Sequence, residues 1–415
     1  MQSLRNECLN QKHWVDTLDR LMEKPNVSRN EKDNLMLLNM IAPDLINQLF
    51  DGTYEWSIPT KTAISKSGTT KKRIVYIYSM QDRYLLGILY RAFSVYYSNK
   101  INPHCFSYKT GTSTNTAIKY IKQNIKQNKL SGVKLDIHAY FNSVSEQRVR
   151  EIIDELFEEG SGIKKSMQDL LLDNRCYWKG SIIEEFKGLI PGTALASFFA
   201  NYCLAPLDTL LDSQHIIFAR YSDDIIIIDK NKEKLDEILE TVKKCIGEYG
   251  LEINPDKYKW FEDDEDFEFL GLKISNNGTV DISDHAKKKM KKQIYKWCKK
   301  GRRDMEMKGY AFKPTVIKIM HKFNNKNFKC FINNESTFGW CHYAFRYLTT
   351  DKSLIEMDKY VRDTIKAMKI GKYKNIDKVQ ISEEEFTELG WVSLKDLYDL
   401  YKKDFDYYCE VIELL

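Results

Sequence analysis

Two adjacent carboxylates carry the clearest chemistry in this chain. Asp223 and Asp224 follow Tyr221-Ser222, and this tetrad separates His215-Ile216-Ile217-Phe218-Ala219-Arg220 from Ile225-Ile226-Ile227-Ile228. Two β-branched runs around a short polar segment predict a hairpin buried by its flanks. Asp is common in turns, so a plain turn is one reading. Burying two carboxylates there is costly without a counter-charge, and divalent cations supply one through oxygen ligation. A two-metal site needs a further carboxylate, and Asp136 is the candidate, within Leu135-Asp136-Ile137-His138-Ala139-Tyr140-Phe141. If its strand lies beside the hairpin, Asp136 and Asp223 face each other across the sheet and clamp two Mg²⁺, for which Mn²⁺ can substitute. Such a site performs phosphoryl transfer: one ion activates an attacking hydroxyl, and the other holds a triphosphate and the departing pyrophosphate.

The elements that must position these groups are legible as patterns. Residues 1 to 65 read as mostly helical, with Ser28 and Glu31 as a capping box. A basic Ser/Thr/Gly-rich stretch from Lys61 to Arg73 precedes a strand at Ile74–Ile77 and an apolar helix at Leu85–Tyr97. Lys134–His138 reads as a strand, Gln147–Phe157 as a helix, and Leu195–Leu207 as a helix under a sheet. After the hairpin at 216–228 comes a helix over Lys232–Glu248 that Gly250 caps, then strands within Phe267–Ile274. This order predicts an α+β fold, with an antiparallel sheet backed by helices.

At 415 residues the chain exceeds one ordinary domain, which predicts two or three subdomains. Charged residues at 30% and hydrophobic ones at 43% describe a folded globular chain, not a disordered one. No apolar run approaches the roughly 20 residues that span a membrane. The N-terminus lacks the order of a signal peptide, and nine cysteines without CxxC pairing fit free thiols, so a cytoplasmic location is expected. The net charge of +5 says little; its distribution says more. Ten Lys or Arg and no acid fall between Lys287 and Arg303, with Met290, Ile294 and Trp297 at helical spacing. That is an amphipathic helix whose basic face is either solvated or set against phosphates.

Taken together, the blocks resemble the bacterial reverse transcriptases: those of group II introns, retrons and, most of all, the defence-associated enzymes. Lys72-Arg73-Ile74-Val75 through Asp82-Arg83 resembles the fingers block, where basic residues meet the triphosphate and template. Phe106-Ser107-Tyr108-Lys109-Thr110-Gly111 resembles the next block, with Lys109 in place of an arginine. Asp136–Val144 resembles the first catalytic block, placing Asp136 on its metal aspartate, Tyr140 at the nucleotide and Phe141 on the aromatic that excludes a 2′-hydroxyl. Tyr221-Ser222-Asp223-Asp224 resembles Tyr-Ala-Asp-Asp, with Tyr221 as its aromatic. Gly250–Lys257 resembles the following block, in which Lys257 is a candidate donor toward pyrophosphate, and Phe269–Ile274 resembles the primer-grip hairpin. Gly188-Leu189-Ile190-Pro191-Gly192 departs from the usual Gly-Leu-Pro-Gln-Gly; Pro191 replaces the glutamine, while Gly192 allows close backbone approach to the substrate.

The resemblance implies a right-hand polymerase. Its expected parts are an N-terminal helical region (1–65), fingers (66–130), a palm (131–275, with part of the fingers inserted between 145 and 187), a helical thumb (276–345) and a helical C-terminal extension (346–415). Asp136, Asp223 and Asp224 would bind metal and, with Lys257, carry catalysis. Lys72, Arg73, Tyr140, Phe141, Gly192 and Tyr221 would bind nucleotide. Lys109, Lys287, Lys288, Lys291, Lys292, Lys299, Lys300, Arg302 and Arg303 would contact nucleic acid. The implied partners are dNTPs, a cognate noncoding RNA and its cDNA, with self-association left open and no membrane. The expected function is RNA-directed DNA synthesis in antiphage defence. Three alternatives stay open: a retron-type or intron-type enzyme, a template-independent or protein-primed DNA polymerase, and an RNA-binding scaffold with a vestigial palm. Aromatics of the tail (Phe338, Trp340, Trp391, Tyr407, Tyr408) would serve either helix packing or stacking on unpaired bases.

Overall fold

A four-stranded antiparallel sheet holds all three aspartates at one end. The computed structural model describes residues 2–24, 27–65, 72–125, 130–262, 265–275, 277–328, 339–371 and 376–414. The stretch Lys61–Arg73 is thus described only in part, and Cys330 and Phe338 lie outside the described residues. The chain divides into two compact units, Met1–Glu262 and Asp263–Leu415.

The strands of the first unit are β1 (Thr60–Ser65), β2 (Lys72–Ile77), β3 (Ser131–Asp136) and β4 (Arg175–Trp178), then β5 (Ser181–Glu184), β6 (Ile217–Tyr221), β7 (Asp224–Asp229) and β8 (Lys259–Phe261). One sheet runs β6-β7-β3-β8. One of its two central strands is β7, whose four isoleucines are all buried, as a continuous apolar run requires. The helix Lys232–Glu248 covers β7 and β3. Its buried Leu235, Ile238, Leu239, Val242 and Ile246 recur at helical spacing, and Asn231 caps its start. The helix ends at Tyr249, and Gly250 takes up the left-handed φ of +74° that lets the chain turn back.

The second sheet has the order β2-β1-β4-β5. Sequence patterns gave β2 but not the hairpin β4–β5, whose four-residue strands turn through Lys179 and Gly180, both at positive φ. That hairpin joins β1 through a single parallel pair, Thr60↔Tyr177, far away in sequence. Two helical expectations also change. Helices fill most of Gln2–Asp51, but the chain then becomes extended and enters β1. The helix expected over Leu195–Leu207 is two helices, Leu195–Cys203 and Ala205–Ser213, because Pro206 cannot donate back to the preceding turn and starts a new helix instead.

In the second unit β9 (Phe267–Phe269), β10 (Leu272–Ile274) and β11 (Val280–Ile282) form a small antiparallel sheet. The basic helix runs Asp284–Lys308, longer than its charge pattern marked, from a Ser283 N-cap to a left-handed Gly309. Its core stripe is Ile294, Cys298 and Gly301, while Met290 and Trp297 are only half-buried. The described tail aromatics are packed to different degrees, with Trp340 and Trp391 half-buried. Tyr398 and Tyr408 are buried, and Arg362 lies over the rings of both Phe386 and Trp391, at 4.7 and 5.0 Å from their centroids. Tyr407 remains exposed. All eight described cysteines are free thiols, and six of them are buried. Among the described residues no helix is long and apolar enough to cross a membrane.

Candidate active site

Register brings the carboxylates together. In the β3–β7 ladder Asp136 is the direct partner of Asp224, and Tyr221↔Asp224 closes the β6–β7 hairpin around Ser222 and Asp223. The expectation paired Asp136 with Asp223 across the sheet; the ladder partner is Asp224, and Asp223 sits at the turn. The Asp223 carbonyl accepts the Ile137 N–H at 3.2 Å, which ties the turn to the residue after Asp136.

The turn is strained and braced. Ser222 has φ +62°, a region where a side chain costs about 1–2 kcal/mol. Its N–H donates to the Ser107 hydroxyl at 2.8 Å, and its carbonyl accepts from Arg220 Nη1 at 3.3 Å. Ser107 is itself fixed by Asn201, which accepts from the hydroxyl and donates to the Ser107 carbonyl. Arg220 and Asp208 form a fully buried bidentate pair at 2.7 and 2.6 Å, and Arg220 Nη2 also donates to the Asn201 carbonyl. None of these bracing roles was assigned from the sequence. The available signal was Arg220 itself: a charge inside an apolar strand requires a buried partner.

Three cations, Lys257, Lys134 and Arg73, act on the aspartates. Lys257 pairs with Asp136 Oδ2, and Asn254 donates to Asp136 Oδ1 at 3.2 Å and to its carbonyl at 2.7 Å. Lys134 lies 3.3 Å from Asp224 Oδ2. Burial raises the Asp223 carboxyl above the usual carboxylate range, and Asp136 adds to this, while Lys257 and Arg73 oppose it. Burial likewise pushes Asp224 up to about 6, opposed by Lys134 and reinforced by the other two aspartates. Lys134 was read only as strand; the period of two that puts it on the face of Asp136 was the missed signal.

The other candidates fall unevenly around this centre. Lys72 and Arg73 are exposed on β2. Phe141 is half-buried, its ring edge-on to Tyr140 and its carbonyl accepting from Leu189. Tyr140, expected at the nucleotide, is instead a core residue: it is 2% exposed and donates its hydroxyl to the Ala200 carbonyl at 2.5 Å. Gly192 has φ +105°, and a Cβ there would lie 2.9 Å from Val75 Cβ, so the close approach it permits is to β2. The Pro191 carbonyl accepts the Tyr76 N–H at 2.8 Å and fastens the same loop to β2. Tyr221 is half-buried beside Tyr108, their ring centroids 6.5 Å apart. Lys109 turns back on its own loop, donating to the Asn102 carbonyl at 3.4 Å.

Aspartates at the junction of a strand and a hairpin, ordered as above, are matched by the profile of the reverse transcriptase (RNA-dependent DNA polymerase) family over residues 64–274. The chain belongs to the reverse transcriptase family. Its mixed helices and antiparallel sheets are those of the right-hand polymerase fold. It is 38% identical over 78 residues to the enzymatic polyprotein of Soybean chlorotic mottle virus, a match that covers 19% of this chain and 11% of the polyprotein. It is also similar to a solved apo telomerase from Candida tropicalis truncated from its C-terminal domain, at 13% identity and a TM-score of 0.44 over 60% of each chain. The match to each relative therefore spans less than two thirds of that relative's length.

Reverse transcriptase domains use divalent cations, and the donor set here fits them. All three candidate ligands are carboxylates, the hard oxygen donors such ions take. Asp224 Oδ1 is buried and has no hydrogen-bond partner among the described residues. No three His, Cys, Asp or Glu of the described residues are gathered into a ready-made ligand cluster; Lys257 and Lys134 neutralise two of the three aspartates instead.

The basic helix Asp284–Lys308 has two kinds of cation. Lys287 and Lys291 pair with Glu356, and Arg302 donates to the carbonyls of Met368 and Lys369, so these three fasten the helix Lys352–Ile370. Lys288, Lys292, Lys299, Lys300 and Arg303 are exposed, as are Lys289 and Lys296. Replacing Lys288, Lys292, Lys299 and Lys300 with glutamine is expected to weaken duplex binding and lower its salt slope by about 3–4. The measurement is binding to an RNA–DNA duplex across a salt series; an unchanged slope returns this face to plain solvation.

Proposed function

We propose that the protein is an RNA-directed DNA polymerase in which Asp136, Asp223 and Asp224 hold two Mg²⁺. The observation that carries this reading is the Asp136↔Asp224 ladder pair beside the Asp223 turn, on a chain of the reverse transcriptase family. Two divalent cations, when bound, supply activation of a primer 3′-hydroxyl and neutralisation of the triphosphate charge. Lys72 and Arg73 place positive charge where the triphosphate arrives, and Lys257 donates a proton toward the leaving pyrophosphate. Arg220 and Ser107 keep the Ser222–Asp223 turn in place, so the carboxylates need no reorganisation. Tyr221 contacts the incoming nucleotide, and the exposed lysines of Asp284–Lys308 hold the backbone of the duplex.

Phe141 is the steric gate for the sugar. Phe141→Ala is expected to raise the ratio of ribonucleotide to deoxynucleotide incorporation by about tenfold or more, since removing the ring removes the clash with a 2′-hydroxyl. Single-nucleotide insertion rates with matched rNTP and dNTP check it; an unchanged ratio assigns the gate to another residue.

The biological reading is cDNA synthesis from a cognate noncoding RNA in bacterial antiphage defence. Its support is the resemblance of the ordered blocks and of the C-terminal helices to the defence-associated reverse transcriptases. Sequencing the RNA and DNA that co-purify with wild type and with Asp223→Ala tests it. One RNA in both samples, with its complementary DNA only in wild type, is the expected result. DNA without a matching RNA would favour template-independent synthesis, the reading to which Pro191 in place of glutamine draws attention.

A further inference from the structure

We infer that Lys134 is a built-in counter-ion for Asp224, one that holds this carboxylate when no divalent cation is bound and competes with the cation for it. The inference rests on reading Asp136, Asp223 and Asp224 as cation ligands. Lys134 and Asp136 lie two residues apart on β3 and so share a face of the sheet. Asp224 is the ladder partner of Asp136, which brings the Lys134 ammonium to 3.3 Å from Asp224 Oδ2. On its other side Lys134 stands opposite Lys259 of β8, and like charges directly opposite repel. The lysine therefore has one favourable direction, toward the carboxylates.

The geometry differs from that of a purely structural salt bridge. Lys134 engages one oxygen only, and Asp224 Oδ1 is left buried without a hydrogen bond among the described residues. Both side chains are about four-fifths buried, where charge interactions are screened less than at the surface. Nor does Lys134 have a place in the transfer chemistry, whereas Lys257, half-exposed on its own turn, does. Lys134 limits the repulsion among three carboxylates in the cation-free palm, and it sets how much free cation is needed to replace it.

The test is Mn²⁺ binding to the full chain without nucleotide, read from loss of the free-ion paramagnetic resonance signal. Lys134→Met is expected to bind Mn²⁺ about tenfold more tightly than wild type, and Lys259→Met to change affinity by less than about threefold. Lys134→Arg, which keeps the charge, should stay close to wild type. Lys134→Gln is measured alongside as a second neutral variant and should move with Lys134→Met. In chelator both neutral variants should melt below wild type, with a larger rise in Tm on adding Mn²⁺. Unchanged or weaker binding in both neutral variants overturns the inference, as does equal tightening in Lys259→Met, which would reduce the effect to net charge. Absence of Mn²⁺ binding by wild type overturns the ligand reading as well; binding by wild type with no Lys134 effect overturns this inference alone.

Discussion

Asp223→Ala is expected to lose DNA synthesis by at least about a hundredfold while the protein stays as stable as wild type or becomes more so. The two halves of this outcome have separate causes. A cation ligand acts where charge develops in the transition state, so its loss removes several kcal/mol from catalysis. In the folded protein the same carboxyl is raised by burial and by Asp136. A carboxyl raised in the native state binds its proton more tightly there than in the unfolded chain, so its ionised form opposes folding at neutral pH. Alanine removes that opposition and keeps the Asp223 carbonyl, the atom that bonds Ile137. Primer extension and urea unfolding on the same preparations check both halves. Near-wild-type incorporation would sink the assignment of Asp223, and a collapsed unfolding midpoint would show that its side chain is structural.

The site was legible in the sequence where chemistry and local pattern coincide. The isoleucines flanking Asp223 and Asp224 predict a buried hairpin, and Gly250 marks the end of the helix that covers it. Legibility failed where a residue's meaning depends on a distant one. Tyr140 and Phe141 are adjacent aromatics, and nothing local shows that one donates to Ala200 in the core while the other stays half-buried. Gly192 reads as a place where the backbone approaches substrate, but what packs against it is β2, more than a hundred residues earlier. The basic helix carried a uniform charge pattern, yet Glu356 claims Lys287 and Lys291 and leaves their neighbours exposed. The hairpin β4–β5 has strands too short to show a period, and its partner β1 lies over a hundred residues away. These are tertiary facts, and a pattern confined to one element does not contain them.

The buried Arg220–Asp208 pair is where stability and synthesis should separate. Both side chains are completely buried, and Arg220 holds Asp208 through two hydrogen bonds while spending its remaining donors on the carbonyls of Asn201 and Ser222. Arg220→Met leaves the Asp208 carboxyl in the core without its counter-charge, and breaking a pair this way costs about 3–5 kcal/mol. The double variant Arg220→Met/Asp208→Leu removes both charges. Replacing a buried pair by apolar groups of similar volume is often neutral, so the double variant is expected to recover most of that stability, to within about 2 kcal/mol of wild type. It should not recover synthesis. The Ser222 carbonyl still lacks the Arg220 donor, and the strained turn that presents Asp223 and Asp224 loses one of its two braces. Urea unfolding and primer extension on the two variants make the comparison, with synthesis by the double variant expected to remain about tenfold or more below wild type even where its unfolding midpoint recovers. Full recovery of synthesis together with stability would show that the pair serves folding alone; recovery of stability only makes Arg220 a positioning residue, acting on the aspartates through the backbone of the turn.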